Sequence, residues 1–511
     1  MTVPLTDSSD SSDSSDSTDS SVTTDTANTN DTRLVTPLIA PIRRRLLQGL
    51  GAGLSARLLS LGGLGGLGSP DVWAQPAPPG ATRSGQGRLV VVFLRGAYDG
   101  LSAFVPYADA DYYTLRPNIG IAAPDGSAQT ALKLDATFAL HPALSPLLPL
   151  WQQKVLTVVP AAGLPAPNRS HFDAQYQMEV AQTGRLSAAP GWLNKLAAAS
   201  TSSGSEPGEA TATALGVGES NPAILGGPAK VKLIARGTAA ERTGVLANDA
   251  SRQALLDLYA GNGAVGDAFR QGAQSRLQSA QELSTEKMAA SVRQAVAAKS
   301  AADDAPAPNR TPDRALDKDG TPASSQAQTA QMQAASNGAA DPTGLQLDAQ
   351  HLGILMRGDR NLRLGFLSAG GWDTHANQGN ATGTLANNFA NLGRALVQLR
   401  QDFAGPGDVV VVISEFGRTS AQNGTRGTDH GWGNALWVMG SAVNGGRWHG
   451  DWTGLARGNL NEARDLPAHH DYRAVLAQVL RANFGLSDSV LASLLPGASW
   501  DKRLDGLLRR V

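Results

Sequence analysis

DVVVVISEFGRTSAQNGTRGTDHGWG, residues Asp408 to Gly433, decides the fold and marks a candidate site. The unbroken apolar run Val409 to Ile413 reads as a strand buried on both faces, the pattern of parallel sheets covered by helices. It stops abruptly in Ser414, Glu415, Gly417, Arg418 and Thr419, and an Asn-, Gly- and Thr-bearing loop then leads to Asp429-His430-Gly431. Polar groups just past the carboxyl end of a buried strand stand where open α/β sheets place their ligands. Glu415, Arg418, Asp429 and His430 together can ligate a metal and bind an oxyanion. The same residues also read as a capped loop with a surface ion pair.

Working outward, the same punctuation recurs. Arg88 to Leu94, RLVVVFL, is a second buried strand, and Asp99 follows it as a functional carboxylate at the sheet's carboxyl edge or as the cap of the next helix. Lys154 to Val159 is another strand, leading through a Pro-rich loop to Arg169-Ser170-His171-Phe172-Asp173 and a helical segment. Ser170 thus falls at a helix N-terminus, where free N–H groups and the dipole favour an anion and a hydroxyl can be a nucleophile. The competing reading makes Ser170 an ordinary N-cap completed by Asp173. Leu362 to Leu367 delivers Gly370-Gly371-Trp372-Asp373-Thr374-His375, and an Asp and a His two apart are ligand types of Zn or Mn sites.

Other segments fill in an α/β pattern, a mostly parallel sheet with helices on both faces. Short strands are expected at Ala214 to Gly218, Lys230 to Ile234 and Ala435 to Met439, and helices over Arg252 to Ala298 and Thr384 to Phe403. His141 reads as a structural loop histidine, His449 as a candidate late ligand, and His469 and His470 as capping or surface residues.

With 511 residues, 41% of them hydrophobic, the chain can bury a sizeable core, read here as one α/β domain over residues 88–498. A net charge of −1 without a basic patch argues against nucleic acid as a partner. The absence of cysteine removes disulfides, thiolate metal sites and cysteine nucleophiles. No G-x-G-x-x-G or Walker pattern follows a strand, so nucleotide cofactors are not indicated. No G-x-S-x-G elbow precedes a helix, which sets a carboxylester hydrolase aside. Residues 299–341 are polar and Pro-bearing and read as an exposed, partly disordered insertion. Residues 1–42 form a Ser/Asp-rich disordered leader. Residues 43–74, opening on Arg43-Arg44-Arg45, look like a twin-arginine export signal too weakly apolar for a permanent membrane span. The expected location is periplasmic or secreted, with the twin-arginine machinery as an export partner.

The motifs LVVVFLRGAYDGLSAFVPY, NRSHFDAQYQME, GWLN, GGWDTHANQG, SEFGRT and GTDHGWG, in this order, resemble the family called domain of unknown function 1501, from about Arg88 to Arg481. That family is similar in fold to the alkaline phosphatase and sulfatase superfamily, whose members transfer phosphoryl or sulfuryl groups at a metal centre. The resemblance implies metal ligation by Asp99, Asp373, His375, Glu415, Asp429 and His430, and a nucleophile at Ser170. In a hydrolase of that kind Arg169 or Arg418 would pair with the equatorial oxygens of the anion and His171 would transfer a proton. Where the superfamily strand ends in Asp-His, this chain has Glu415-Phe416, so a carboxylate stays and a histidine is lost. The expectation is a divalent-metal hydrolase of phosphate or sulfate esters. The rival is a secreted binding or assembly protein that keeps the fold without the chemistry.

Overall fold

A computed structural model describes residues 87–509 except 185–188, 202–211, 219–221, 261–262 and 303–322. The leader, the twin-arginine segment and the centre of the insertion lie outside the described residues. Eight strands form the main sheet: β1 (Leu89–Leu94), β2 (Leu156–Gly163), β3 (Ala214–Val217), β4 (Val231–Ile234), β5 (Leu364–Ala369), β6 (Val409–Ile413), β7 (Asn434–Gly440) and β8 (His470–Asp471). Their spatial order is β8-β2-β7-β6-β1-β5-β3-β4. β1 pairs in parallel with both β5 and β6, and β3 in parallel with β4 and β5. β7 pairs antiparallel with both β6 and β2, and so runs against the rest.

The apolar runs form strands because both of their faces are covered. Leu89, Val91 and Phe93 of β1, with Val409, Val411 and Ile413 of β6, enter one core. The alternate residues Val90, Val92, Leu94, Val410 and Val412 enter the other. Helices His171–Val180, Trp192–Thr201 and Tyr472–Phe484 cover the first face through Met178, Leu196 and Val479. Helices Leu345–Gly358 and Thr384–Asp402 cover the second through Leu352, Phe389 and Leu396. Each fully buried Val, Leu or Phe contributes roughly 1.5–3 kcal/mol of transfer free energy, so two-sided burial is what holds these short strands.

The helical region expected over Arg252 to Ala298, with an interruption at Gly261 to Gly266, forms two helices, Asp249–Leu258 and Gly263–Ala302. A further helix, Ala323–Ala335, leads into the buried Ser336 and Ala339. Among the described residues no helix is long and apolar enough to cross a membrane.

Candidate metal centre

The carboxyl ends of β1, β2, β5 and β6 lie on one edge of the sheet, and the chain leaving each carries polar residues there. The antiparallel β7 begins on that same edge, immediately after His430-Gly431-Trp432-Gly433. The loop after β6 therefore returns at once instead of crossing over. Its two limbs pair: Gly417 N–H donates to the Trp432 carbonyl at 2.8 Å, Gly431 N–H to Gly417 at 2.8 Å, and Thr419 N–H to Asp429 at 2.9 Å. This ribbon fixes His430. The loop after β5 is stitched alongside by Thr428 N–H to the Thr374 carbonyl at 3.1 Å and by Asn423 Nδ2 to the His375 carbonyl at 2.8 Å. Gly371 makes its sharp exit from the strand possible at φ +82°, a region that L side chains avoid. A Cβ on Gly427 would stand 2.3 Å from the His375 carbonyl carbon, so only glycine lets these loops touch.

Four side chains converge where the loops meet. Asp373 Oδ1 lies 2.8 Å from His375 Nε2, 3.2 Å from His430 Nε2 and 3.4 Å from His171 Nε2. His430 Nε2 is 3.0 Å from both His171 Nε2 and His375 Nε2. Each imidazole has its other nitrogen on an acceptor. His171 Nδ1 faces Glu415 Oε1 at 2.8 Å, His375 Nδ1 faces Asp429 Oδ1 at 3.0 Å, and His430 Nδ1 faces the Arg169 carbonyl at 2.8 Å. Those acceptors hold a proton on Nδ1, so on binding a metal each ring would give up any Nε2 proton and turn that lone pair inward. An outer shell of this kind is what orients metal-ligating histidines.

The donor set fits a metal. A single carboxylate oxygen cannot satisfy three imidazoles and a guanidinium at once, and Asp373 Oδ2 is buried without any hydrogen-bond partner. Among the described residues, His171, Asp373 and His430 form the group of possible ligands that close together, within 4.8 Å, and His375 Nε2 joins the same centre. Three imidazole nitrogens and a carboxylate suit Zn or another late divalent ion better than Mg or Ca.

Charge reinforces the arrangement. Burial alone would raise the Asp373 pKa, but hydrogen bonds from His171, His375 and His430 and the Arg418 charge hold it far below the carboxylate range. Burial would lower His171, yet Asp373 and Glu415 raise it to about 9, so without a metal this ring keeps a proton. Burial likewise opposes the Glu415 charge, and His171 outweighs it, leaving the carboxyl ionised.

The remaining expected site residues stand further out. Glu415 is an orienting group, accepting from Gly96 N at 2.7 Å, Gln175 Nε2 at 2.9 Å, His171 and, at its second oxygen, Ser414 Oγ. Asp429 holds His375 in the same way, assisted by Asn423. Arg418 is buried and engaged within the protein, with Nη1 on Asp373 at 2.7 Å and its other nitrogens on Thr428. Arg169 reaches outward to Glu462 and Asp465 while its carbonyl holds His430. Ser170 is exposed and caps the helix, accepting from Asp173 N at 3.4 Å. The structure does not bring Asp99 to the cluster: both its oxygens are taken by Arg116, with Ser102 and Gln378 adding to one of them.

His171, expected to move protons, stands among the ligands. His449 lies outside the centre, donating to the Asn444 carbonyl. His470 is fully buried against Asp501, because β8 carries it into the sheet. Phe416, at the position where a histidine was expected, packs its ring against His171 and His430, with centroids 4.8 and 5.0 Å away. Gln175 was legible in principle, since it sits one helical turn after His171 on the same face. Arg116 had no such signal.

The fold and the cluster thus define an α/β protein with a His/Asp centre at the carboxyl edge of a mostly parallel sheet. The chain belongs to the family described as protein of unknown function (DUF1501), whose model matches residues 86–495. No curated protein and no solved structure matches it.

Proposed function

We propose that this chain is a metal-dependent hydrolase of phosphate or sulfate esters, built on an alkaline phosphatase/sulfatase-like fold. We further propose that it is exported to the periplasm by the twin-arginine route. The observation that carries the reading is the convergence of three Nε2 atoms on Asp373 while every Nδ1 is tied to an acceptor. His171, Asp373, His375 and His430 would hold the ion, with Glu415, Asp429 and the Arg169 carbonyl orienting the rings. A divalent ion bound there supplies Lewis-acid polarisation of an ester oxygen.

The chain's own groups do the rest. Ser170 is exposed at the N-terminus of the helix that carries His171, where the helix dipole favours a substrate anion beside its hydroxyl. Arg169, a third exposed on its side chain, is the cation nearest in sequence to that hydroxyl and can pair with substrate oxygens. Arg418 positions Asp373 and keeps its charge.

Protein purified without chelator is expected to carry near-stoichiometric Zn or Mn and to cleave an aryl phosphate or aryl sulfate. Asp373→Ala with His375→Ala should lose both metal and turnover. Ser170→Ala should keep the metal and lose turnover by a factor of about 10² or more. Full activity in the Ser170 variant would reduce that residue to a helix cap. Metal without turnover on either ester class would instead favour the second reading, a secreted binding or assembly protein. The observation behind that alternative is that Ser170 already caps its helix and Arg418 is wholly engaged inside the fold.

A further inference from the structure

We infer that the centre takes one metal ion and not two, because the Arg116 guanidinium already occupies Asp99, the strand-end carboxylate that the family resemblance assigns to metal binding. The inference rests on the metal reading of the His/Asp cluster and concerns how many ions that edge of the sheet holds.

Asp99 ends the turn after β1, at the sheet edge that carries the cluster, and a carboxylate there is well placed to extend a metal site. Its acceptor capacity is filled from within the protein. Oδ1 accepts from Arg116 Nη2 at 3.0 Å, while Oδ2 accepts from Arg116 Nη1 at 2.6 Å, Ser102 Oγ at 2.7 Å and Gln378 Nε2 at 2.9 Å. The guanidinium is equally complete. Nη1 also reaches Ser102 Oγ at 3.2 Å, Nη2 the Thr419 carbonyl at 3.0 Å and Nε the Ser420 carbonyl at 2.8 Å. Both side chains are entirely buried. A planar cation paired bidentately and walled by carbonyls is a built feature, not a surface contact.

The pair is joined to the cluster by a continuous hydrogen-bonded path. Gln378 bonds Asp99 and accepts from Thr428 Oγ1 at 3.2 Å; Thr428 Oγ1 accepts from Arg418 Nε at 3.1 Å; Arg418 Nη1 meets Asp373 at 2.7 Å. The other two carboxylates nearby are spent on rings, Glu415 on His171 and Asp429 on His375. Apart from Asp373, the first ion's own ligand, no carboxylate among these residues is left without a cationic or hydrogen-bonding partner. A fixed single positive charge stands at Asp99 in its place.

The test is calorimetric titration of the metal-free full-length chain with zinc, with elemental analysis at saturation. One zinc per chain is expected. The paired variant Asp99→Asn with Arg116→Gln removes both charges while leaving amides to bond each other. It should still bind one zinc, with Kd within about tenfold of wild type, since the pair meets the ligands only through the Gln378–Thr428–Arg418 path. Asp373→Asn should abolish tight binding. Two zinc ions per wild-type chain would overturn the inference while leaving the metal reading standing. Loss of zinc from a paired variant that remains folded by circular dichroism would overturn it too, by making Asp99 a ligand. No zinc on the wild type would remove the metal reading itself, and the inference with it.

Discussion

At the scale of single residues, the centre depends on groups that touch no ligand position. Glu415 is the clearest. It is fully buried, and its carboxylate collects a backbone N–H, an amide and the His171 ring. Glu415→Gln keeps the shape but exchanges one acceptor for a donor, facing groups that themselves donate. Zinc affinity, read by chelator competition, is expected to fall 10- to 100-fold. An unchanged affinity would mean that the His171 ring is held by packing on Phe416 alone.

Residue types at strand ends were readable from the sequence: Asp373, His375 and His430 stand together as their D-x-H and D-H settings suggested. The division of labour among them was not. A carboxylate that binds metal and one that orients a histidine have the same spelling, so Glu415 and Asp429 cannot be told from ligands without their partners. Asp99 was ambiguous for a sharper reason. Arg116 reaches it from 17 positions away through a loop, and no periodicity links the two.

Elements were more legible than sites where their apolar patterns were long. The β1 and β6 runs read as two-sided strands and are buried throughout. Direction is another matter. A strand buried on both faces shows the same pattern whichever way it runs, so β7 gave no sign that it is antiparallel. The short helical turn Pro142–Leu147 carries a testable charge effect. Its cap, His141, accepts from Ala143 N at 3.0 Å and donates to the Asn380 carbonyl at 2.9 Å. Burial pushes its pKa down to about 4, against 6.5 for an unburied ring, with Asn380 and Asp99 opposing.

Because the folded state resists protonation, the stabilising contribution is whole above pH 6.5. It is lost as pH falls towards 4. The lowering from 6.5 to about 4 corresponds to about 3 kcal/mol. His141→Gln should flatten the difference in denaturant stability between pH 7 and pH 4 by roughly that amount. An identical acid slope in wild type and variant would show that His141 protonates freely in the native protein.

For the whole molecule, the donors span the chain: His171 contacts His430 across 259 positions, and Asp373 and His375 come from a third segment. An unfolded chain cannot present them together, so an ion held there would bind the native state almost exclusively. At free zinc 100 times Kd the native state should gain about 2.7 kcal/mol, seen as a raised urea midpoint that a chelator reverses. A midpoint indifferent to zinc would show that the ion does not discriminate folded from unfolded chain.

The end of helix Ala323–Ala335 has a part in this as well. The Ala335 carbonyl accepts from Gln175 Nε2 at 2.7 Å, on the helix that carries His171, and Ser336 Oγ accepts from Gly371 N at 3.0 Å, two residues before Asp373. A segment whose composition suggested an exposed, partly disordered insertion is therefore moored by its far end behind two of the elements that carry candidate ligands. Trimming or replacing the stretch before it without preserving that mooring would detune the centre from behind, at a distance from any residue an inspection of the open face would blame.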